Sequence, residues 1–100
     1  MMSVTDTVSP DHPAIAGHFP GNPVVPGVVL LARVSRAVES GLGAKVNALL
    51  EAKFHSLLRP GENFEIEFEP ADPDRIRFRV LRGGIRIAAG TLAARPGPAS

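Results

Sequence analysis

Apolar and charged residues alternate along two neighbouring stretches of this chain, and no other feature constrains the fold as closely. In residues 63–69 Phe and Ile alternate with Glu, and in residues 75–82 Arg alternates with apolar residues as far as Val80. Successive side chains of a β-strand point to opposite faces, so a period of two is typical of a strand with one buried face. The two stretches predict adjacent antiparallel strands that share an apolar face and a charged face.

The loop at 70–74 is expected to join these two strands. A register centred on that loop brings opposite charges together on one face and apolar side chains together on the other. It pairs Glu69 with Arg75, Glu67 with Arg77, Glu65 with Arg79, Phe68 with Ile76, Ile66 with Phe78 and Phe64 with Val80.

Three further strands are predicted, at 3–8, 46–58 and 85–94. The strand at 46–58 would carry one apolar face, formed by Val46, Ala48, Leu50, Ala52 and Phe54. Gly83-Gly84 is a two-residue hairpin signal. That hairpin would place Ile87 opposite Val80 and Ala89 opposite Phe78.

One helix is predicted, over residues 28–40. Pro26 stands just before it, where a missing N–H is tolerated, and Gly41 stands just after it as the expected left-handed cap. The first turn is apolar all round, which indicates burial on most sides, and a polar stripe follows at Arg33, Arg36 and Ser40. The pattern therefore predicts an α+β fold in which one helix covers the apolar face of a curved antiparallel sheet.

Length and composition indicate the number of domains and exclude several classes of partner. The 100 residues predict one domain over 1–94 with a flexible tail over 95–100, and a core so small favours a dimer. A net charge of +1 gives no case for nucleic acid or an anionic membrane surface. There is no cysteine, no apolar run of about 20 residues and no visible signal peptide, so a cytoplasmic protein is expected. His12, His18 and His55 match no metal-ligand spacing, so no metal site is expected.

Residues 17–31 read GHFPGNPVVPGVVLL, and this stretch resembles the signature of the beta-hydroxyacyl-[acyl carrier protein] dehydratases. That signature is a Gly-His-Phe-Pro-Gly loop, then Pro-x-x-Pro-Gly-Val, then a buried helix. Residues 52–54 (Ala-Lys-Phe) and 60–61 (Pro-Gly) extend the resemblance to a later strand and turn. The resemblance implies the hotdog fold, a long helix wrapped by an antiparallel sheet, which agrees with the architecture predicted from the pattern.

The resemblance also implies a lyase of fatty-acid or polyketide-type metabolism that removes water from a 3-hydroxyacyl thioester. His18 takes the position of the family's catalytic histidine, and a neutral imidazole suits removal of the α-proton. Gly27 matches the glycine whose backbone N–H polarises the thioester carbonyl. Phe19, Pro26 and Val28 are the expected substrate contacts. No metal or redox cofactor is expected, because the phosphopantetheine arm comes with the acyl carrier protein or coenzyme A.

The chain departs from the family at Ala32, where the family carries Glu or Asp fourteen positions after the histidine. In family dimers that acid works with the histidine of the other subunit. Four interpretations stay open: proton donation by water or the His18 imidazolium, replacement by Arg36 or Glu39, an acid supplied by a related partner chain, and acyl binding without dehydration. A hotdog thioesterase is a further alternative. Arg33 and Arg36 are weak candidates for docking an acidic carrier protein.

Overall fold

The computed structural model describes residues 1–15, 21 and 23–96, and within these residues it contains one helix and five strands. The elements are β1 (Met2–Thr7), α1 (Gly27–Leu42), β2 (Ala44–Phe54), β3 (Asn63–Asp72), β4 (Arg75–Arg82) and β5 (Ile85–Pro96). The strands form one antiparallel sheet in the order β1-β3-β4-β5-β2. The predicted α+β architecture, one helix against an antiparallel sheet, is confirmed.

Alternation on β3 and β4 separates a buried face from a charged face, as predicted. Each apolar position from Phe64 to Phe68 and from Ile76 to Val80 is buried, and the Glu and Arg positions between them are not. The helix buries its own apolar side chains against this face, namely Val29, Leu30, Val34, Ala37 and Val38. The core therefore lies between α1 and one side of the sheet.

The predicted register between β3 and β4 is wrong by two residues. Phe68 pairs with Phe78, and Glu67 pairs with Arg79, because β3 runs on to Asp72 and only two residues form the turn. An irregularity between Pro70 and Asp72 accommodates the tighter connection. A slip of two residues leaves every side chain on its original face, so the alternation alone does not distinguish the two registers.

The second hairpin turns at Gly83-Gly84, as predicted, with Arg82 opposite Ile85. The partners predicted in β5 for Val80 and Phe78 are wrong by one residue. A bulge follows the Leu81–Arg86 pair, so that Ala88 stands opposite Val80 and Gly90 opposite Phe78. A bulge places two residues of one strand against one of the other, and no residue in the sequence marks its position here.

Helix α1 begins at Gly27 and ends at Leu42, and the predicted cap at Gly41 is wrong. The left-handed cap is Gly43, with φ of 61°. Gly41 lies in the last turn, where a β-carbon would come within 2.7 Å of Cζ of Phe68. Gly41 therefore leaves room for an aromatic ring of the core, and the capping conformation falls two residues later.

Strand β2 forms one edge of the sheet and ends at Phe54 rather than at Leu58. Two register shifts, after Val46 and after Leu49, interrupt its alternation, so the single apolar face predicted for 46–58 does not form. Large apolar side chains on this edge are exposed, namely Leu49, Leu50 and Phe54.

The last strand, β5, extends two residues past the predicted domain boundary, through Arg95 and Pro96. Residues 97–100 of the predicted tail lie outside the described residues. In the part of the chain that the structure describes, no helix is long and apolar enough to cross a membrane.

Candidate functional site at the start of the helix

The helix starts abruptly at Gly27 because the residue before it is extended. Pro26 has φ of −60° and ψ of 145°, and its carbonyl accepts hydrogen bonds from the N–H groups of Val29 at 3.0 Å and Leu30 at 3.2 Å. The N–H groups of Gly27 and Val28 have no acceptor within the helix, as for the first turn of any α-helix. These two amides lie at the positive end of the helix dipole, where an oxyanion or a polarised carbonyl oxygen is stabilised.

The segment leading into the helix is held by the loop that follows β2. The N–H of Val25 donates to the carbonyl of Leu58 at 2.8 Å, and both side chains are buried. At the start of that loop, the N–H groups of His55 and Ser56 donate to the carbonyl of Ile87 at 2.8 and 3.3 Å. These bonds attach the helix start to the sheet through backbone groups, so its position does not depend on exposed side chains.

An apolar surface adjoins the two amides. The ring of Phe54 lies against Gly27, where a β-carbon would be 2.9 Å from its Cζ atom. Phe54 is 50% exposed and Val28 is 76% exposed. Exposed apolar side chains beside amides that have no acceptor within the helix can hold an acyl group while a carbonyl oxygen accepts from the backbone.

Phe54 was not predicted from the sequence as a site residue. Two signals for it were present: its place on the predicted apolar face of the strand at 46–58, and the Ala-Lys-Phe match to the family. The close approach that Gly27 permits is made in this structure by the Phe54 ring.

The expected site residues divide into two groups. Pro26, Gly27 and Val28 all lie at the helix start described above. The catalytic role of Gly27 and the substrate contacts of Pro26 and Val28 stay predictions. His18 and Phe19 lie outside the described residues. Their expected roles, catalysis and substrate contact, also stay predictions.

Ala32 lies on the exposed face of α1, one turn after Val28. Arg36 and Glu39 continue this exposed face. Oε2 of Glu39 accepts the N–H of Val46 at 2.9 Å, which holds that carboxylate at the far end of the helix. Since Glu39 is also about 10 Å along the axis from Ala32, it is badly placed to replace the missing acid.

Arg33, a weak candidate for carrier docking, makes an ion pair within the chain. Its Nη1 donates to both carboxylate oxygens of Asp6, at 2.9 and 3.1 Å, and to the carbonyl of Thr7 at 3.2 Å. The pair is largely covered, with side-chain exposures of 23% for Arg33 and 27% for Asp6. Arg33 thus joins β1 to α1, whereas Arg36 is exposed and is the more accessible of the two docking candidates.

Among residues 1–15, 21 and 23–96, no group of three or more His, Asp or Glu side chains is arranged to hold a metal ion.

Comparison with known proteins gives consistent results. The sequence model of the ApeI-like family, described as ApeI dehydratase, matches residues 1–91. The 3-hydroxyacyl-[acyl-carrier-protein] dehydratase FabZ of Lactiplantibacillus plantarum is 32% identical over 75 residues, which are 66% of this chain and 51% of that protein. The chain spans about half the length of the curated relatives it matches.

Solved structures agree on the fold. The dehydratase heterocomplex ApeI:P from Xenorhabdus doucetiae superposes with a TM-score of 0.78 at 20% identity, covering 93% of this chain and 85% of that chain. A point mutant of the fluoroacetyl-CoA-specific thioesterase FlK superposes with a TM-score of 0.68 at 15% identity, covering 95% and 87%. Identities this low show the shared hotdog fold and do not separate a dehydratase from a thioesterase. The match over 1–91 shows that this chain belongs to the ApeI-like family, whose sequence model is described as ApeI dehydratase.

Proposed function

We propose that this chain is a subunit of a dehydratase that removes water from 3-hydroxyacyl thioesters, carried on an acyl carrier protein or on coenzyme A. The observation that supports this most directly is the helix start, where the amides of Gly27 and Val28, which have no acceptor among the described residues, adjoin the apolar surface of Val28 and Phe54. Family membership supports the same reaction class.

In the proposed reaction the thioester carbonyl oxygen accepts the N–H of Gly27. This interaction stabilises the negative charge that grows on the oxygen when the α-proton leaves. The His18 imidazole takes the α-proton, the electron pair forms the carbon–carbon double bond, and the bond between C3 and the hydroxyl oxygen breaks. The departing hydroxyl needs one proton to leave as water. Because these groups belong to the chain and the thioester arm belongs to the substrate, the proposed reaction requires no metal or redox cofactor.

The residue at position 32 determines which group can donate that proton. In the arrangement that the family resemblance implies, each site combines the histidine of one subunit with the acid of the other. A homodimer of this chain would then hold Ala32 in both sites. A heterodimer with a related, acid-bearing hotdog chain would hold one complete site, formed by His18 and the partner's acid. We therefore propose a heterodimer as the fast form of the enzyme, and a homodimer as a slow form.

Two features support pairing with another hotdog chain. Strand β2 is an edge strand 11 residues long with exposed Leu49 and Leu50, and such edges pair readily with other strands. In addition, Ala32 lies on an exposed helix face. A chain with the same fold has been solved as a dehydratase heterocomplex, which supports the proposed form of assembly.

The test follows enoyl thioester absorbance and free thiol together, with 3-hydroxybutyryl-coenzyme A as substrate. The chain is assayed alone and after co-expression with an acid-bearing hotdog chain encoded near it. Enoyl product without thiol supports dehydration, and thiol without enoyl product identifies a thioesterase instead. No product in either preparation would identify an acyl-binding subunit without activity, which is the alternative that Ala32 favours.

The acid can also be restored within the chain. In an Ala32→Glu homodimer we expect the dehydration rate to rise by about 10²–10⁴-fold, the usual contribution of a positioned general acid. Ala32→Gln is the matched control, since it has similar size and no titratable proton, and it should give no such rise. Adding His18→Ala to Ala32→Glu should abolish the gain. Equal rates for the Glu and Gln variants would contradict the proposal.

A further inference from the structure

A cavity separate from the helix start lies on the charged face of the sheet. It has a volume of about 500 Å³ and is lined by residues of β2, β3, β4 and β5, by His55 and by Met1, with none from α1. Its lining includes three consecutive residues of β5, Ala89, Gly90 and Thr91. Because Ala89 and Thr91 are short and point to the charged face, they form a low floor between longer side chains of the neighbouring strands.

The strand register places cations on both sides of Ala89. Arg79 of β4 and Lys53 of β2 both pair with Ala89, one from each side. The next residue outward on this row is Glu67, which already binds Nη2 of Arg79 at 2.7 Å. Neighbouring strands are about 4.8 Å apart, so the two cationic side chains start about 10 Å apart and can converge above the methyl group of Ala89.

A third cation lines the same end of the cavity, beside an imidazole. Arg86 lines it, and His55 is brought alongside by the hydrogen bond from its N–H to the carbonyl of Ile87. Arg86 makes no ion pair within 4.0 Å among the described residues. Lys53 has only a loose contact with Glu51 at 4.0 Å, and both side chains are well exposed.

The other end of the cavity carries more carboxylates than cations. There the row through Thr91 runs from Glu69 through Arg77 to Glu51, with two carboxylates and one cation. The cavity is therefore polarised, with its cationic end at Ala89.

We propose that the cationic end of this cavity binds a phosphate group. Lys and Arg donors that converge over a floor without long side chains suit a phosphoryl group, which offers several acceptor oxygens. The phosphate could be free or part of a nucleotide, and both sources present the same chemistry. This site does not depend on the proposed dehydratase activity, because it shares no residue with the helix start.

The test titrates the ¹⁵N-labelled chain with inorganic phosphate, with ADP and with adenosine, and follows the amide signals of Ala89, Gly90 and Thr91. We expect saturable shifts with ADP, with phosphate or with both, and none with adenosine. Saturation by phosphate alone would identify a free-anion site, and tighter binding of ADP would identify a nucleotide site. Absence of saturable shifts with either anion, or equal shifts with adenosine, would overturn the proposal.

Three variants locate the site. Arg86→Gln and Lys53→Gln should each weaken binding by about two- to fivefold, the usual range for one exposed ionic contact. Arg75→Gln is the matched control, because it removes the same charge from the same sheet outside the cavity lining. Arg75→Gln should leave binding unchanged. An equal loss in all three variants would show a response to net charge alone and would also overturn the proposal.

Discussion

The ring of Phe54, the last residue of β2, lies against the α-carbon of Gly27, the first residue of α1. The contact joins the exposed edge of the sheet to the helix start, where two backbone amides have no acceptor among the described residues. A strand that pairs with a second chain along this edge would therefore bring that chain beside the candidate site.

The first prediction concerns this contact. In Gly27→Ala the new methyl group would meet Cζ of Phe54 at 2.9 Å. Because the ring is half-exposed, it can move aside, and we expect the free energy of unfolding to change by less than about 1 kcal/mol. Dehydration should fall by at least about tenfold, since the methyl group and the displaced ring crowd the amide. Urea unfolding and the enoyl assay measure the two effects.

Phe54→Leu is the control for this pair, because it keeps an apolar side chain and removes the ring. Added to Gly27→Ala, it should not lower stability further. If Gly27→Ala alone unfolds the chain, the ring is held in place and the proposed freedom of movement is wrong.

Gly90→Ala should be far more harmful than Gly27→Ala. A β-carbon at Gly90 would collide with the backbone carbonyl oxygen of Glu51 and would lie 2.8 Å from Cζ of Phe78, which is buried. Neither group can move without disturbing the sheet or the core, so we expect a loss of about 3 kcal/mol or more. Thermal unfolding measures this loss. The neighbouring Ala89→Ser, on the open face, should change stability by less than about 0.5 kcal/mol, and similar losses for both would contradict the packing described.

The helix cap gives a third prediction. Gly43 has a left-handed φ of 61°, which an alanine adopts at a cost of about 1–2 kcal/mol. Gly43→Ala should be destabilised by this amount, and Gly43→Asn by less, because asparagine tolerates the conformation better. Urea denaturation of the two variants tests the order. Equal stabilities would show that Gly43 does not need this conformation.

The Asp6–Arg33 ion pair supports a fourth prediction. Because both side chains are largely covered, we expect a coupling energy of about 0.5–1 kcal/mol between Asp6→Asn and Arg33→Gln in a double-mutant cycle. The coupling should decrease as salt is raised, since part of each group still faces solvent. A coupling energy of zero at low salt would mean that the pair does not help to hold β1 on the helix.

Much of the fold was predictable from residues close together in the chain. The alternation in 63–69 and 75–80 identified two strands and their buried faces, and Gly83-Gly84 located a hairpin. The Pro26 boundary located the helix start to within one residue. Each of these signals is local, because side-chain direction, turn conformation and helix initiation depend on a few neighbouring residues.

The errors arose where turn length, a bulge or side-chain packing decides the alignment. The register of β3 and β4 was wrong by two residues, the cap was Gly43 instead of Gly41, and Phe54 was missed at the helix start. In two of these cases an aromatic ring lies against a glycine far away in the sequence: Phe68 at Gly41 and Phe54 at Gly27. The register of β3 and β4 follows instead from the two-residue turn after Asp72.

The sequence by itself determined which side of each central strand is apolar, where the helix begins and which family motif precedes it. Only the tertiary structure decided how the strands align, which glycine caps the helix and which ring covers Gly27. The physical reason is that a slip of two residues preserves the pattern of faces, so the choice among registers depends on how rings, bulges and glycines fit together across the sheet and helix.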